Sequence, residues 1–485
     1  MARIHFIYFD LNTGYYANFH HGLAYIIATL KNSAQQVFLT HIANEDTLEE
    51  VRSVFPQEKI DILALSFTTN QKKYVQRFLS VLELPRKLTI AGGVHCSLVQ
   101  ERVFQELPGI DGVCIGEGEI PLQELCRRLD AGKDYLSTPS FYFKRGERII
   151  KNPVAPLPDI DTLPFPDYSL FDFRKIVGGN AQCFPMLLSR GCSYSCYYCC
   201  NHTLRELYPN SREYVRRHSV ERAIEIIKAN LSLHPQTGKI TFSDDTFTLN
   251  RDWLLAFGKA YRQEIGLPFV CNARVETLDD GMVRCLKSSG CVSIDIGVET
   301  GNEWLRKYIL NRRHSNLTIK EAFRLTEKHH IKSFAYTMVG FPFETREMAA
   351  ETLALNIQLR PNFGKCFYYF PYPGTKLSEL SNKYNLLADD LDAVSGYMEK
   401  PSIKQVFMSH WQMKKHFELL QVFFYARLLL TKARVPHRVE KALLKVVFLF
   451  RKPIMFLLNP TSGNSGIRRL RRALRNIALE RMRWV

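Results

Sequence analysis

Residues 187–200 read Leu-Leu-Ser-Arg-Gly-Cys-Ser-Tyr-Ser-Cys-Tyr-Tyr-Cys-Cys, and the rest of the chain is organised around them. Cys192, Cys196 and Cys199 follow a short apolar run that reads as a strand, with the spacing C-x3-C-x2-C. A loop of that length can fold back so that three thiolates converge. On a cubane [4Fe–4S] cluster three thiolates leave one iron without a protein ligand, open to a small molecule. Tyr198 gives the loop an aromatic wall. A zinc knuckle is the other reading, with Cys200 or His202 as the fourth ligand that zinc prefers.

The spacing, the aromatic before the last cysteine and the preceding strand resemble the radical S-adenosylmethionine (SAM) superfamily, whose signature is C-x3-C-x-aromatic-C. The resemblance implies that SAM chelates the open iron through its amino and carboxylate groups. One electron, delivered by an external donor of flavodoxin or ferredoxin type, would then cleave SAM to a 5′-deoxyadenosyl radical that takes hydrogen from a small-molecule substrate.

Strands are expected from the cluster loop onward at Phe184–Ser189, Lys239–Ser243, Phe269–Asn272, Val292–Val298, Phe334–Val339 and Lys365–Phe370, with helices such as Val220–Leu231 and Trp253–Ile265 between them. Six such units are two short of a closed eight-fold barrel. The resemblance implies a partial (β/α)6 barrel over residues 181–375. Asp244 and Asp245, in Phe-Ser-Asp-Asp-Thr-Phe, resemble the family's segment near the SAM amino group, although one of the two suits a helix N-cap equally well. Arg274 ends the third strand and joins the cofactor-binding set. Glu299, in Ile-Gly-Val-Glu-Thr-Gly, ends the fourth, where the family holds the SAM ribose or amino acid moiety; a carboxylate can accept from two hydroxyls. Gly340-Phe341-Pro342 and Phe370–Thr375 resemble turns lining the adenine and substrate side, and Tyr368, Tyr369 and Tyr372 suggest an aromatic cleft. His314, His329 and His330 read as surface or helix-end residues. Cys271, Cys285, Cys291 and Cys366 read as small buried hydrophobes.

Residues 1–135 also alternate strands (Ile4–Phe9, Ile62–Phe67, Leu88–Ala91, Val113–Ile115) with helices (Gly22–Leu30, Gln71–Leu82, Pro121–Leu129). That rhythm predicts a doubly wound, Rossmann-like parallel sheet with ligands at the carboxyl ends of its strands. The loops fall there: the first with Thr13 and Gly14, then Ser66 and Thr68, then Gly92, Gly93, Val94 and His95, then Gly116-Glu117-Gly118-Glu119. Gly92-Gly93 lets backbone approach a flat ligand. Together these loops resemble the cobalamin-binding domain that precedes many radical SAM enzymes, which implies that they cradle the corrin and its nucleotide tail. The motif Asp-x-His-x-x-Gly, whose histidine ligates cobalt in the methionine-synthase type, is absent, because Phe19 stands three residues before Gly22. His20 and His21 read as helix-start residues. Residues 136–180 hold six prolines from Pro139 to Pro166 and read as a linker.

The 485 residues, 46% hydrophobic and 23% charged, suit two or three globular domains. Twelve cysteines imply a reducing, cytoplasmic setting with thiols kept for metal or packing. Of the net charge of +17, residues 400–485 supply +16, from 19 Lys/Arg against Glu418, Glu440 and Glu480. The region 376–485 reads as helical, with a helix at Trp411–Thr431 and a strongly apolar stretch over Glu440–Leu458 that Arg451-Lys452-Pro453 interrupts. Ile467–Trp484 carries seven arginines among Leu, Ile, Met and Trp. That pattern fits a peripheral contact with the anionic inner face of a membrane. Nucleic acid is the rival partner, disfavoured by the accompanying Phe, Leu and Trp. A helical cover over the cleft is the third reading.

The two cofactor chemistries together point first to methylation of an unactivated carbon on a hydrophobic or natural-product substrate. The alternatives are an oxidative cyclase or ring-rearranging enzyme without methyl transfer, and a non-catalytic cobalamin or iron–sulfur sensor.

Overall fold

Apolar runs bounded by turn chemistry become strands at nearly every expected place. The computed structural model describes residues 1–11, 20–42, 60–80, 86–171, 183–389, 391, 397–398, 400–433, 435, 437–450 and 454. Thr13, Gly14 and the arginine-rich stretch Ile467–Trp484 lie outside the described residues.

In the N-terminal part β1 (Arg3–Phe9), β2 (Gln36–Ile42), β3 (Ile60–Ser66), β4 (Arg86–Gly92) and β5 (Gly112–Cys114) pair in parallel in the order β2-β1-β3-β4-β5. The order reverses at β1, the kind of switch point at which doubly wound sheets bind ligands. β2 is absent from the sequence expectation because Thr40 and His41 interrupt its apolar run. Both are buried, with His41 Nε2 donating to Asp10 (3.0 Å) and Thr40 bonded to His5 (2.8 Å). The prolines of 136–180 predict a linker throughout. Instead β6 (Phe141–Arg145) and β7 (Arg148–Lys151) form an antiparallel hairpin that pairs with β5 and extends the sheet to seven strands.

The second sheet holds all six expected strands: β8 (Cys183–Met186), then, beyond a two-stranded ribbon of β9 (Ser189–Arg190) and β10 (Arg216–Arg217), β11 (Lys239–Phe242), β12 (Phe269–Ala273), β13 (Cys291–Glu299), β14 (Lys332–Val339) and β15 (Phe363–Tyr368). Every pair in it is parallel, from β8 at one edge to β15 at the other. Helices such as Val220–Leu233 and Arg251–Glu264 bury apolar faces against it, giving a curled half-barrel.

The C-terminal helix His410–Lys432 is capped by Ser409 and runs along β15, the edge strand. Phe424 lies so close to Gly364 that no side chain larger than glycine's fits there. Phe417 stacks on Tyr368 at 4.2 Å, and Gln421 Nε2 donates to the Cys366 carbonyl at 2.9 Å. Tyr368 and Tyr369, expected to face an open cleft, are buried, Tyr368 under this helix, while Tyr372 is half-buried. The next helix, His437–Leu449, docks through Glu440, which accepts from Arg427 Nη1 (2.5 Å) and Arg360 Nη2 (2.9 Å).

Candidate cofactor site

The cluster loop leaves the ribbon at Arg190-Gly191. Gly191 has φ +80°, and a Cβ there would press on the Tyr214 carbonyl and ring, so the turn into the loop requires glycine. Cys192 and Cys196 are buried and Cys199 half-buried. Each sulfur meets a polar partner: Thr246 Oγ1 3.8 Å from Cys192, Arg274 Nη1 3.1 Å from Cys196, and Asn201 Nδ2 3.8 Å from Cys199. Hydrogen bonds and a cation at the sulfurs are what stabilise thiolates bound to iron. Among the described residues no three Cys, His, Asp or Glu side chains gather around a position for a single metal ion. His202, a candidate fourth zinc ligand, instead turns Nε2 toward the Lys376 backbone N–H at 3.5 Å.

Arg274 is placed by its surroundings. Its guanidinium lies 3.6 Å from the Tyr194 ring centroid, and Nη2 donates to Glu276 at 2.6 Å. Glu276 also pairs with His314 Nδ1 at 2.8 Å, and these partners hold its carboxyl below the usual range despite burial. His314, expected at the surface, has a buried imidazole because it closes this chain of bonds to the cluster loop.

Tyr198 is more than a wall. Its hydroxyl donates to Glu299 Oε1 at 3.0 Å and accepts from Arg312 Nη1 at 3.1 Å, while Arg312 also reaches Glu299 Oε1 at 2.5 Å. Both contacts to Glu299 land on Oε1, so among the described bonds Oε2 remains an acceptor for a ligand. Glu299 has φ +64°, a left-handed backbone uncommon outside glycine, at the point where the β13–β14 register shifts. Arg312 is absent from the sequence-derived set; it lies in a loop, and nothing in Asn311-Arg312-Arg313 separates it from surface charge.

The acidic pair divides its work. Asp244 is fully buried, accepts from Ser189 Oγ and from the Leu188 N–H (3.3 Å), and so fastens the ribbon that leads into the cluster loop. Burial pushes its carboxyl up, with Arg217 opposing. Asp245 reaches solvent at the cluster side while ringed by protein; burial raises its carboxyl and a bond from Asn201 opposes that. Gly340, with φ +84°, donates its N–H to Glu344 at 2.5 Å and faces Met413 of the C-terminal helix. Glu344, also missed, is fully buried, and burial pushes its carboxyl up to about 8.

On the other side a cavity of about 270 Å³ opens between the ends of β3, β4 and β5 and the barrel. Ser66, Gly92, Gly93, Val94, Glu117 and Gly118 line it, and Leu204, Tyr208 and Tyr214 wall it from the barrel side. Thr68 and His95 do not. Thr68 caps the turn Thr69–Gln71. His95 is buried between Thr69 Oγ1 (3.1 Å) and Glu106 Oε2 (2.8 Å). His20 caps the helix His21–Asn32: its Nδ1 accepts from the Leu23 N–H at 2.9 Å, so Nε2 carries the proton and donates to Ser66 Oγ at 2.9 Å. With both nitrogens engaged, His20 presents no lone pair to a metal. Gly93 has φ +100°, and a Cβ would sit 2.8 Å from the Phe67 carbonyl. Gly93→Ala is expected to cost about 1–3 kcal/mol and to weaken corrin uptake, measured by thermal denaturation and by absorbance titration.

The two halves are tied together by charge. Glu117 accepts from Arg190 Nη1 (2.6 Å) and from Arg216, and Glu119 accepts from Arg190 Nη2 (2.7 Å). Arg190 also covers the Tyr25 ring at 4.8 Å. The acids of Gly-Glu-Gly-Glu therefore clamp the residue two before Cys192, and the loop offers the cavity its backbone.

A B12 binding domain profile matches residues 12–126, and a Radical SAM superfamily profile matches residues 186–355. The chain is 26% identical over 378 residues to "Uncharacterized methyltransferase PH0819" of Pyrococcus horikoshii, covering 76% of this chain and 79% of that protein. It is 24% identical over 376 residues to the anaerobic magnesium-protoporphyrin IX monomethyl ester cyclase of Cereibacter sphaeroides, covering 73% of this chain and 59% of the cyclase. Among solved structures, the cobalamin-dependent S-adenosylmethionine radical enzyme OxsB, with aqua-cobalamin and S-adenosylmethionine bound, superposes with a TM-score of 0.68 at 15% identity, over 99% of this chain and 75% of OxsB. A cavity at the strand ends of the first sheet is clamped to the three-cysteine loop of the second, and the chain joins a region matching a B12 binding domain to one matching a radical SAM domain, the arrangement of known B12-dependent radical SAM enzymes.

Proposed function

We propose that this enzyme holds a [4Fe–4S] cluster, SAM and cobalamin together and remakes the carbon skeleton of a small-molecule substrate by oxidative ring formation or rearrangement. The single observation that carries the reading is the pairing of a three-sulfur loop, each sulfur met by a polar partner, with an apolar cavity tied to it through Arg190. When bound, the cluster and SAM supply a one-electron oxidant for an unactivated C–H bond, and cobalamin supplies a partner for the resulting carbon centre.

The chain's own residues do the rest. Cys192, Cys196 and Cys199 hold the cluster, and Arg274 offsets the charge at Cys196. Arg312 and Tyr198 orient Glu299, whose free oxygen suits the hydroxyls of the SAM ribose, and Asp245 suits its ammonium. Gly92-Gly93 and Gly116–Gly118 let a flat corrin lie against backbone, with Tyr208 and Tyr214 excluding water from the barrel side. Residues 1–135 and 181–375 serve as the two working domains, and the helices after 376 as their cover. Electrons would come from an external flavodoxin- or ferredoxin-type protein.

Ring chemistry is supported by the likeness to the cyclase along most of this chain. Methyl transfer to carbon is the second reading, supported by the likeness to the Pyrococcus methyltransferase. Turnover of the anaerobically reconstituted enzyme with methyl-deuterated SAM separates them. Ring formation gives a product that has lost hydrogen and carries no label; methylation gives a labelled one. No reductant-dependent SAM cleavage at all would sink both.

A further inference from the structure

The helix His437–Leu449 carries two apolar faces and only one is packed. Toward the barrel it buries Leu444 and the Glu440 carboxylate and partly buries Val447 and Phe448. On the other side Val439, Leu443, Val446 and Phe450 are 48%, 38%, 50% and 59% exposed. Their spacing of four, three and four residues puts them within about 60° of arc on a helix of 3.6 residues per turn. Leu449 flanks that stripe at 77% exposure.

Along the sequence, the charge from Lys441 to the residue before Glu480 has one sign. Residues 441–479 contain nine Lys/Arg and no Asp or Glu. Glu440 is spent inside, paired with Arg427 and Arg360, so the described outer side of this helix shows no carboxylate. Lys445 is exposed on the Leu449 side of the helix. An apolar strip in a stretch of chain whose charges are cationic matches the interface of a bilayer with anionic headgroups, where acyl chains take the stripe and phosphates take the bases. Among the described residues no helix is long and apolar enough to cross a membrane, so the contact lies along the surface.

We propose that Val439, Leu443, Val446 and Phe450 form the seat by which this enzyme binds an anionic lipid surface. The inference does not depend on the reaction proposed above. Full-length protein would be sedimented with vesicles of phosphatidylcholine alone and of phosphatidylcholine mixed with phosphatidylglycerol. Binding is expected to the mixed vesicles, with little to the neutral ones. The double variant Leu443→Asp, Val446→Asp should lower partitioning by about tenfold or more and leave the melting temperature unchanged, because both side chains already meet water. Equal partitioning of variant and wild type would overturn the proposal. So would salt-sensitive binding to nucleic acid without vesicle binding. A variant that melts earlier while neither protein binds lipid would show that the stripe is covered by the chain itself, which also overturns it.

Discussion

Alanine at any one of Cys192, Cys196 and Cys199 is expected to remove the iron–sulfur chromophore and to lower SAM cleavage by a thousandfold or more, on the order seen when one member of a cooperating catalytic unit is lost. The expectation rests on the loop's geometry. Two of the three sulfurs are buried, and each has a polar partner in Thr246, Arg274 or Asn201. The Cys200 thiol lies within hydrogen-bonding reach of Cys199, so it is the neighbouring group that must be tested as a substitute. Cys200 is the informative control, since it follows Cys199 directly and is, with His202, one of two candidate fourth ligands for zinc. Cys200→Ala should keep iron content and lose less than about tenfold in activity. Metal analysis of the reconstituted protein checks both statements at once. Zinc in place of iron, or equal damage from Cys200→Ala, would sink the cluster assignment.

Methionine at Arg190 should destabilise the protein by about 3–5 kcal/mol, the usual cost of leaving a buried partner charge uncompensated. Glu119 would suffer most. Its side chain is 3% exposed and its ion pair is with Arg190, whereas Glu117 keeps Arg216. Adding Glu119→Gln to Arg190→Met should recover part of the loss, because the stranded charge is then gone. Urea denaturation of the two variants measures this, and a single-variant loss under about 1 kcal/mol would show the clamp to be no stronger than a surface pair. The functional consequence follows from position. Arg190 touches the Gly-Glu-Gly-Glu loop with its side chain and continues into the cluster loop through its backbone. Arg190→Met should therefore reduce corrin and iron occupancy together.

Much of the site was legible along the chain, and the residues show why. The three cysteines lie within eight positions, and a local spacing survives whatever the rest of the fold does. The six barrel strands announce themselves by short apolar runs or by apolar residues alternating with polar ones, as in Cys291-Val-Ser-Ile-Asp-Ile-Gly-Val-Glu. β2 and the β6–β7 hairpin were not legible, the first because buried Thr40 and His41 break its pattern, the second because its apolar residues sit among prolines. His95 and Thr68 stand in expected ligand loops, yet position in a loop does not say which way a side chain turns.

The sequence by itself determined the chemistry: three thiolates at a fixed spacing, glycines where backbone must come close, and a cationic tail. Only the tertiary structure decided which charges answer one another. Arg190 meets Glu117 and Glu119 across 73 and 71 positions, Arg216 meets Glu117 across 99, and Tyr198 meets Glu299 across 101. An ion pair or hydrogen bond of that reach leaves no period or spacing in the chain, because its partners are selected by burial and shared desolvation after the two sheets have come together.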